Sequence, residues 1–363
     1  MENNQEVLLE LKGVKTYFPI KSGLFKKKEQ YVQAVNGIDL TIYRGETIGL
    51  VGESGCGKTT LGKSILQLVR PTAGEMLYQF QEEGQKDLRK LTAEEMDLAR
   101  QKMQIVFQDP HSSLNPAFTI YQSLSDPLKK FGVKSKKERR QIIGDLLEAV
   151  NMRRDYMDRY PNEFSGGQRQ RIGIARALSI NPELIVCDES VSALDVSIQA
   201  QVLNLLKQLK KERNLTYIFI THDLSVVEYI SDRIAVMYLG KIVELAKTDQ
   251  IFSHTLHPYT QALLSAIPVA DLDKKTERIV LEGDVPSPVN PPSGCHFHGR
   301  CKDCMEKCKT VIPELKRYLI DGEEHFVACH LVADKMSQDV EEVISGLMSV
   351  IKGEGKRDKR FYT

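Results

Sequence analysis

Residues 46–69 read ETIGLVGESGCGKTTLGKSILQLV, and this stretch constrains the fold more than any other. Glu46 to Val51 predicts a short apolar strand, and Lys58 to about Val69 predicts a helix. Between them, Gly52-Glu53-Ser54-Gly55-Cys56-Gly57-Lys58-Thr59 fits G-x-x-x-x-G-K-[ST] in the strand–turn–helix context that pattern requires. Glycines let such a loop wrap a phosphate closely, and successive backbone N–H groups up to Thr60 point inward at it. The helix N-terminus adds a favourable dipole. Lys58 is expected to reach the β- and γ-phosphates, and Thr59 to offer its hydroxyl to Mg²⁺. The bland alternative is an ordinary glycine turn. A chance match in a chain this long is on the order of one in a hundred.

The rest of the chain suits such a loop. Strands are predicted at Val7–Phe18, Val32–Tyr43, Leu184–Cys187 and Tyr217–Thr221. Helices are predicted over Lys136–Val150, from near Gly166, and through Ser197–Lys211. Alternation of this kind argues for a parallel sheet with crossovers. Arg233–Ala246 predicts a hairpin closing that domain, while Glu82–Arg100 is polar and charged. With 363 residues the chain has room for two domains and a small third. Lys plus Arg number 50 and Asp plus Glu 49, a balance that gives no support to nucleic-acid binding. No apolar run approaches the ~18 residues of a membrane span, and no signal peptide is expected at the start. The basic loop Lys21–Lys28 reads as a solvated hairpin loop, with lipid or nucleic-acid contact as the alternative.

Leu184-Ile-Val-Cys-Asp188-Glu189 is an apolar strand ending in two carboxylates. Beside a phosphate loop, Asp188 can hold Mg²⁺ through water and Glu189 can prepare the attacking water. Phe164-Ser165-Gly166-Gly167-Gln168-Arg169 lies 19 residues before Glu183. Gln108 stands in Val106-Phe-Gln-Asp109, Asp195 in Ser192-Ala-Leu-Asp195, and His222 in Thr221-His-Asp223. In this order and spacing, residues 7 to 250 resemble the ATP-binding-cassette ATPases. Leu256-His-Pro-Tyr-Thr260, Pro286-Ser-Pro288 and Asn290-Pro-Pro-Ser-Gly-Cys295 narrow the resemblance to oligopeptide, dipeptide and nickel permeases. Ser192–Leu205 and Val236–Gly240 are most similar to the F-type oligopeptide branch. Ser190 departs from the proline common there, and little consequence is expected.

The resemblance implies an α/β cassette fold: a RecA-like core, an antiparallel β subdomain and a helical subdomain at about 85–165. Residues 1–250 would form the cassette, 251–331 an irregular Cys-rich extension, and 332–363 a helical tail. It implies an ATPase that drives peptide import at a head-to-tail cassette dimer. Each ATP would lie between one chain's Gly52–Thr60 loop and the other chain's Ser165, Gly166, Gly167 and Gln168. Tyr17 would stack on adenine, with Phe18 as second choice. Gln108 would sense Mg²⁺ and water, His222 would contact the γ-phosphate, and Asp195 would sit at the dimer seam. The implied partners are a second, homologous ATP-binding subunit, two transmembrane permease subunits and an extracellular substrate-binding protein, with no nucleic acid. The implied location is the cytoplasmic side of the cell membrane, as a peripheral protein. Dipeptide or nickel import is the alternative within the family. A soluble cassette acting on DNA or ribosomes fits poorly: ribosome-acting members generally carry two cassettes in one chain and this has one, and the about 107 residues between Lys58 and Ser165 leave no room for the long coiled coil of DNA-repair members. A non-hydrolysing cassette conflicts with intact Glu189 and His222.

Cys295, Cys301, Cys304, Cys308 and Cys329 crowd into 35 positions. Four thiolates suit a [4Fe–4S] cluster or tetrahedral zinc. Free thiols or disulfides are the third reading. Cys295, Cys301, Cys308 and Cys329 match positions the extension carries, which implies a structural [4Fe–4S] cluster with Cys304 outside it. Cys301-x-x-Cys304 keeps zinc as the alternative, and His296, His298, His325 and His330 read as bystanders, with substitute ligands as the alternative. Met336–Ile351 shows helical apolar spacing with an acidic opposite face, which suits a docking helix rather than a membrane anchor.

Overall fold

A computed structural model describes residues 6–20, 30–109, 113–267 and 278–336. The basic loop Lys21–Lys28 and the tail beyond Met336 lie outside the described residues.

Two long strands, β1 (Val7–Ile20) and β2 (Gln30–Tyr43), pair antiparallel. With β4 (Ala73–Phe80) and β5 (Gly84–Asp87) they form a four-stranded antiparallel sheet ordered β2-β1-β4-β5. A second sheet is ordered β11-β12-β10-β9-β3-β8-β7-β6. Its centre is β3 (Thr47–Val51), β7 (Leu184–Asp188) and β8 (Thr216–Ile220), in which every residue is buried. These runs are almost wholly apolar because helices and the other sheet cover both faces, as parallel sheets require. β3 pairs in parallel with β8 and with β9 (Arg233–Tyr238), and β7 pairs in parallel with β8 and with β6 (Met103–Val106).

Helix α1 (Lys58–Ile65) leaves the turn after β3. It stops short of Val69 because Gln67 takes a left-handed conformation at φ 53°. The polar stretch after Glu82 yields β5 and α2 (Ala93–Lys102), which buries only Ala99 and owes its start to the Thr92/Glu95 capping box. Helices α3 (Ile120–Lys130), α4 (Lys136–Ala149) and α5 (Gly166–Leu178) share a core of Ile120, Leu124, Ile143, Leu147 and Ile172. Helix α6 (Val196–Arg213) connects β7 to β8, and α7 (Leu224–Ile230) connects β8 to β9.

The hairpin of β9 and β10 (Lys241–Lys247) does not close the sheet. After α8 (Thr248–Ser253) and α9 (Pro258–Ser265), the chain returns as β11 (Lys316–Ile320) and β12 (Glu323–Val327). β12 pairs with β10, so the Cys-rich region adds two strands to the cassette's own sheet. Among the described residues, the expected irregular extension is thus irregular over 278–315, interrupted by two short 3-10 turns. The prolines there forbid ladder hydrogen bonds, whereas Lys316–Val327 alternates in strand fashion.

Candidate active site

The loop after β3 depends on two glycines. Gly52 has φ +146° and Gly57 has φ +107°. A Cβ on Gly52 would lie 2.1 Å from the Met237 carbonyl oxygen, and one on Gly57 would lie 2.0 Å from that of Ala34. Neither position admits a side chain, so the loop stays pressed against β2 and β9. Lys58 is buried and folds back over the loop, its Nζ donating to the carbonyls of Gly52 at 2.7 Å and Glu53 at 3.0 Å. That holds the Lys58 cation against the backbone of a glycine loop that opens a helix, a setting suited to receiving phosphate.

Thr59 Oγ1 donates to Asp188 Oδ1 at 2.7 Å, joining two motifs 129 residues apart in sequence. Burial raises the Asp188 pKa, opposed by this hydrogen bond and by Lys63 and Lys58. A hydroxyl beside a carboxylate is a pair of hard oxygen donors of the kind Mg²⁺ takes, with water and phosphate completing its shell. Next along the chain, Glu189 occupies the left-handed region at φ 46° and donates its N–H to the Ile220 carbonyl at 2.9 Å. Its carboxylate gathers two expected partners. Gln108 Nε2 donates to one oxygen at 2.6 Å, and His222 Nδ1 lies 3.5 Å from the other. These three residues follow β7, β6 and β8, neighbours in the sheet. The site therefore lies at the carboxyl ends of parallel strands, where open α/β sheets bind ligands.

Tyr17 lies elsewhere on β1, half-buried, donating its hydroxyl to Asn36 Oδ1 at 2.7 Å. Phe18 beside it is exposed. Ser165 caps α5 reciprocally with Gln168, and its side chain is exposed at the helix start. Gly167 has no room for a Cβ, which would meet Ile198 Cγ2 at 2.4 Å, so α5 and α6 approach closely there. Asp195 is exposed at the start of α6 and caps it with no side-chain hydrogen bond. Among the described residues, no hydrogen bond joins Ser165–Gln168 or Asp195 to the Gly52–Thr60 loop of the same chain.

Residues 35–192 match the family model described as ABC transporter, and residues 243–308 match the one described as oligopeptide/dipeptide transporter, C-terminal region. The oligopeptide transport ATP-binding protein AppF of Bacillus subtilis is 52% identical over 331 residues, covering 90% of this chain and 98% of that one. The chain belongs to the ATP-binding proteins of the oligopeptide/dipeptide ABC transporters. A probable peptide ABC transporter ATP-binding protein of Sinorhizobium fredii, y4tS, is 48% identical across 90% of this chain and 91% of its own. Among solved structures, the ATP-binding cassette MJ0796, a dimer in a post-hydrolysis state bound to ADP and Pi, aligns with a TM-score of 0.57 at 31% identity. It covers 66% of this chain and 99% of that one. This ABC ATPase therefore binds and hydrolyses ATP with the fold its motifs imply.

The metal geometry expected of the family's cysteines is not formed. Among the described residues, no group of three or more His, Cys, Asp or Glu side chains stands in metal-holding geometry. Cys295, Cys301, Cys308 and Cys329 nevertheless line one cavity of about 20 Å³, and Cys304 is not among its lining residues. That volume admits about one water-sized sphere. Burial pushes the Cys295 thiol up to about 11 and the Cys301 thiol up to about 12, with neighbouring thiols adding to it, and burial also raises Cys329. Protonated thiols do not draw together as thiolates around a cation do. The four histidines are engaged elsewhere: His296 with the Leu239 carbonyl, His298 with that of Cys295, His325 with Glu244 and His330 with the Val311 carbonyl.

Two residues of the site were missed in the sequence. Tyr259 and Arg300, both in the extension, contact Glu53 in the phosphate loop. Tyr259 stands in the Leu256–Thr260 segment that marks the family, but nothing there tied it to the phosphate loop, and Arg300 showed only as a lone arginine beside Cys301.

Proposed function

We propose that this ABC ATPase is the motor subunit of an importer that takes up oligopeptides, hydrolysing ATP between two head-to-tail cassettes. The observation that carries the catalytic reading is the Glu189 carboxylate, held by Gln108 and facing His222 beside the Thr59–Asp188 pair. In this reading Lys58 and the Gly52–Thr60 backbone bind the phosphates. Thr59, Asp188 and Gln108 hold Mg²⁺, Glu189 orients and deprotonates water, and His222 keeps the γ-phosphate in line. Catalysis is then mainly positioning and charge stabilisation. Tyr17 supports adenine. Exposed Ser165 and Asp195, with the half-buried Gly166, Gly167 and Gln168, serve the ATP of a second, homologous subunit, which accounts for their making no hydrogen bond to their own loop.

Oligopeptide as cargo rests on the relatives named for it. The family works with transmembrane permease subunits, and no described helix here is long and apolar enough to cross a membrane. We place the chain on the cytoplasmic face, with two permeases and an extracellular substrate-binding protein completing the complex. Cys295, Cys301, Cys308 and Cys329 would hold a structural [4Fe–4S] cluster; their place around one cavity favours these four over Cys304 as ligands, and the thiols would have to move apart to admit it.

The catalytic assignment predicts opposite behaviour for two variants. Glu189→Gln keeps ATP binding and lowers turnover by about 10²-fold or more, as loss of a general base does. Lys58→Ala weakens nucleotide binding instead. ATPase assays on the assembled complex and binding assays on the purified chain separate the two. Near-normal turnover by Glu189→Gln would sink the assignment.

A further inference from the structure

Glu53 is fixed at four of its atoms. Its N–H donates to Tyr259 Oη at 2.8 Å, and its carbonyl accepts from Lys58 Nζ at 3.0 Å. Its carboxylate receives both forks of Arg300, Nη1 to Oε2 at 2.6 Å and Nη2 to Oε1 at 3.1 Å. The Arg300 side chain is only 8% exposed. Tyr259 is held in turn by edge-on packing against Tyr238 and by contact with Phe297, with ring centroids 4.7 and 5.4 Å away. The extension therefore reaches into the loop from a region 247 residues further along the chain.

An acidic side chain in a loop that receives a polyphosphate is an electrostatic liability. Unpaired, Glu53 would repel the ligand and attract Lys58 away from it. A bidentate guanidinium cancels that charge and fixes the carboxylate in one plane. We propose that Arg300 and Tyr259 are positioning residues for ATP, acting through Glu53, so that the C-terminal extension forms the outer wall of the phosphate loop. The proposal rests on the Gly52–Thr60 loop being the ATP site. It adds that the cassette without its extension has an incomplete one.

The test is binding of trinitrophenyl-ATP to the purified full-length chain, with ATPase kinetics in the assembled importer. Arg300→Met leaves the Glu53 charge uncompensated and weakens binding by about tenfold. It raises KM for ATP while kcat stays within about twofold. Adding Glu53→Gln to Arg300→Met removes the stranded charge, and the double variant binds about fivefold more tightly than Arg300→Met alone. A residue that only supported folding would not be rescued by deleting its partner. If Arg300→Met does not fold, Arg300→Lys and Tyr259→Phe take its place, each weakening binding by about threefold. Unchanged binding by Arg300→Met, or a double variant no better than the single, overturns the proposal. Lys58→Ala separates the two readings. If it binds normally, the loop assignment itself fails. If it binds poorly while Arg300→Met binds normally, only the role of the extension fails.

Discussion

Glu183 shows how much one side chain outside the catalytic set can hold together. It accepts from Arg44 at 2.5 Å and pairs with Lys102 at 2.8 Å, while its backbone joins the ends of α2 and β8. Burial pulls its pKa up, but hydrogen bonds from Lys102 and Arg44 outweigh that and leave it below the ordinary value. A carboxyl depressed in the folded state adds stability above its unfolded pKa of about 4.3, and that stability fades as pH falls below it. Glu183→Gln should destabilise the fold by about 1–2 kcal/mol at pH 7, and the gap from wild type should narrow in melts taken between pH 5 and 3. A gap independent of pH would mean that the loss is one of packing, not charge. At this scale the sequence was legible where chemistry demands a residue type. Gly52, Lys58, Thr59, Asp188, Glu189, Gln108 and His222 were all named from motifs, and the fold brings the side chains of the last five together in pairs. Glu183, Arg44 and Arg300 were not, because an ion pair between distant segments leaves no local pattern.

Among the elements, β3, β7, β8 and the α4 and α6 helices were readable because periodicity and apolar runs report burial directly. β5 and α2 were not, since their stability comes from capping and strand pairing rather than from an apolar stripe. The β11–β12 hairpin was hidden for a related reason: only its pairing with β10 makes Lys316–Val327 part of the sheet. Between α9 and that hairpin lies the segment that carries Cys295, Cys301 and Cys308, which share a cavity with Cys329 just after the hairpin. Anaerobically purified protein should carry about four irons per chain if these four thiols bind a [4Fe–4S] cluster. Cys304→Ser should retain that iron, whereas Cys301→Ser should lose it and loosen the segment to proteolysis. Equal loss in both variants would remove the distinction between Cys304 and the others, and stoichiometric zinc without iron would name the other metal.

For the molecule as a whole, the open question is how a chain with no membrane-crossing helix among its described residues stays at a membrane. Attachment through permease subunits, by surfaces near Gln108 and Tyr121, is the proposal. Cells lacking those subunits should release the chain to the soluble fraction on lysis. Retention in the membrane fraction would instead implicate the basic loop Lys26–Lys28 or the tail. The large sheet also limits the kinds of contact open to this subunit. At one end stands β6, only four residues long, and at the other β11, where Lys316 and Arg317 are exposed. A strand that brief offers little to pair with, and charged side chains at a rim, here Lys316 and the Arg317–Glu324 ion pair, discourage a neighbour from aligning there. Contacts that a partner makes at these two edges are therefore side-chain contacts and not a shared ladder. Such joints can open and close with each nucleotide cycle, whereas a ladder would have to be unzipped bond by bond.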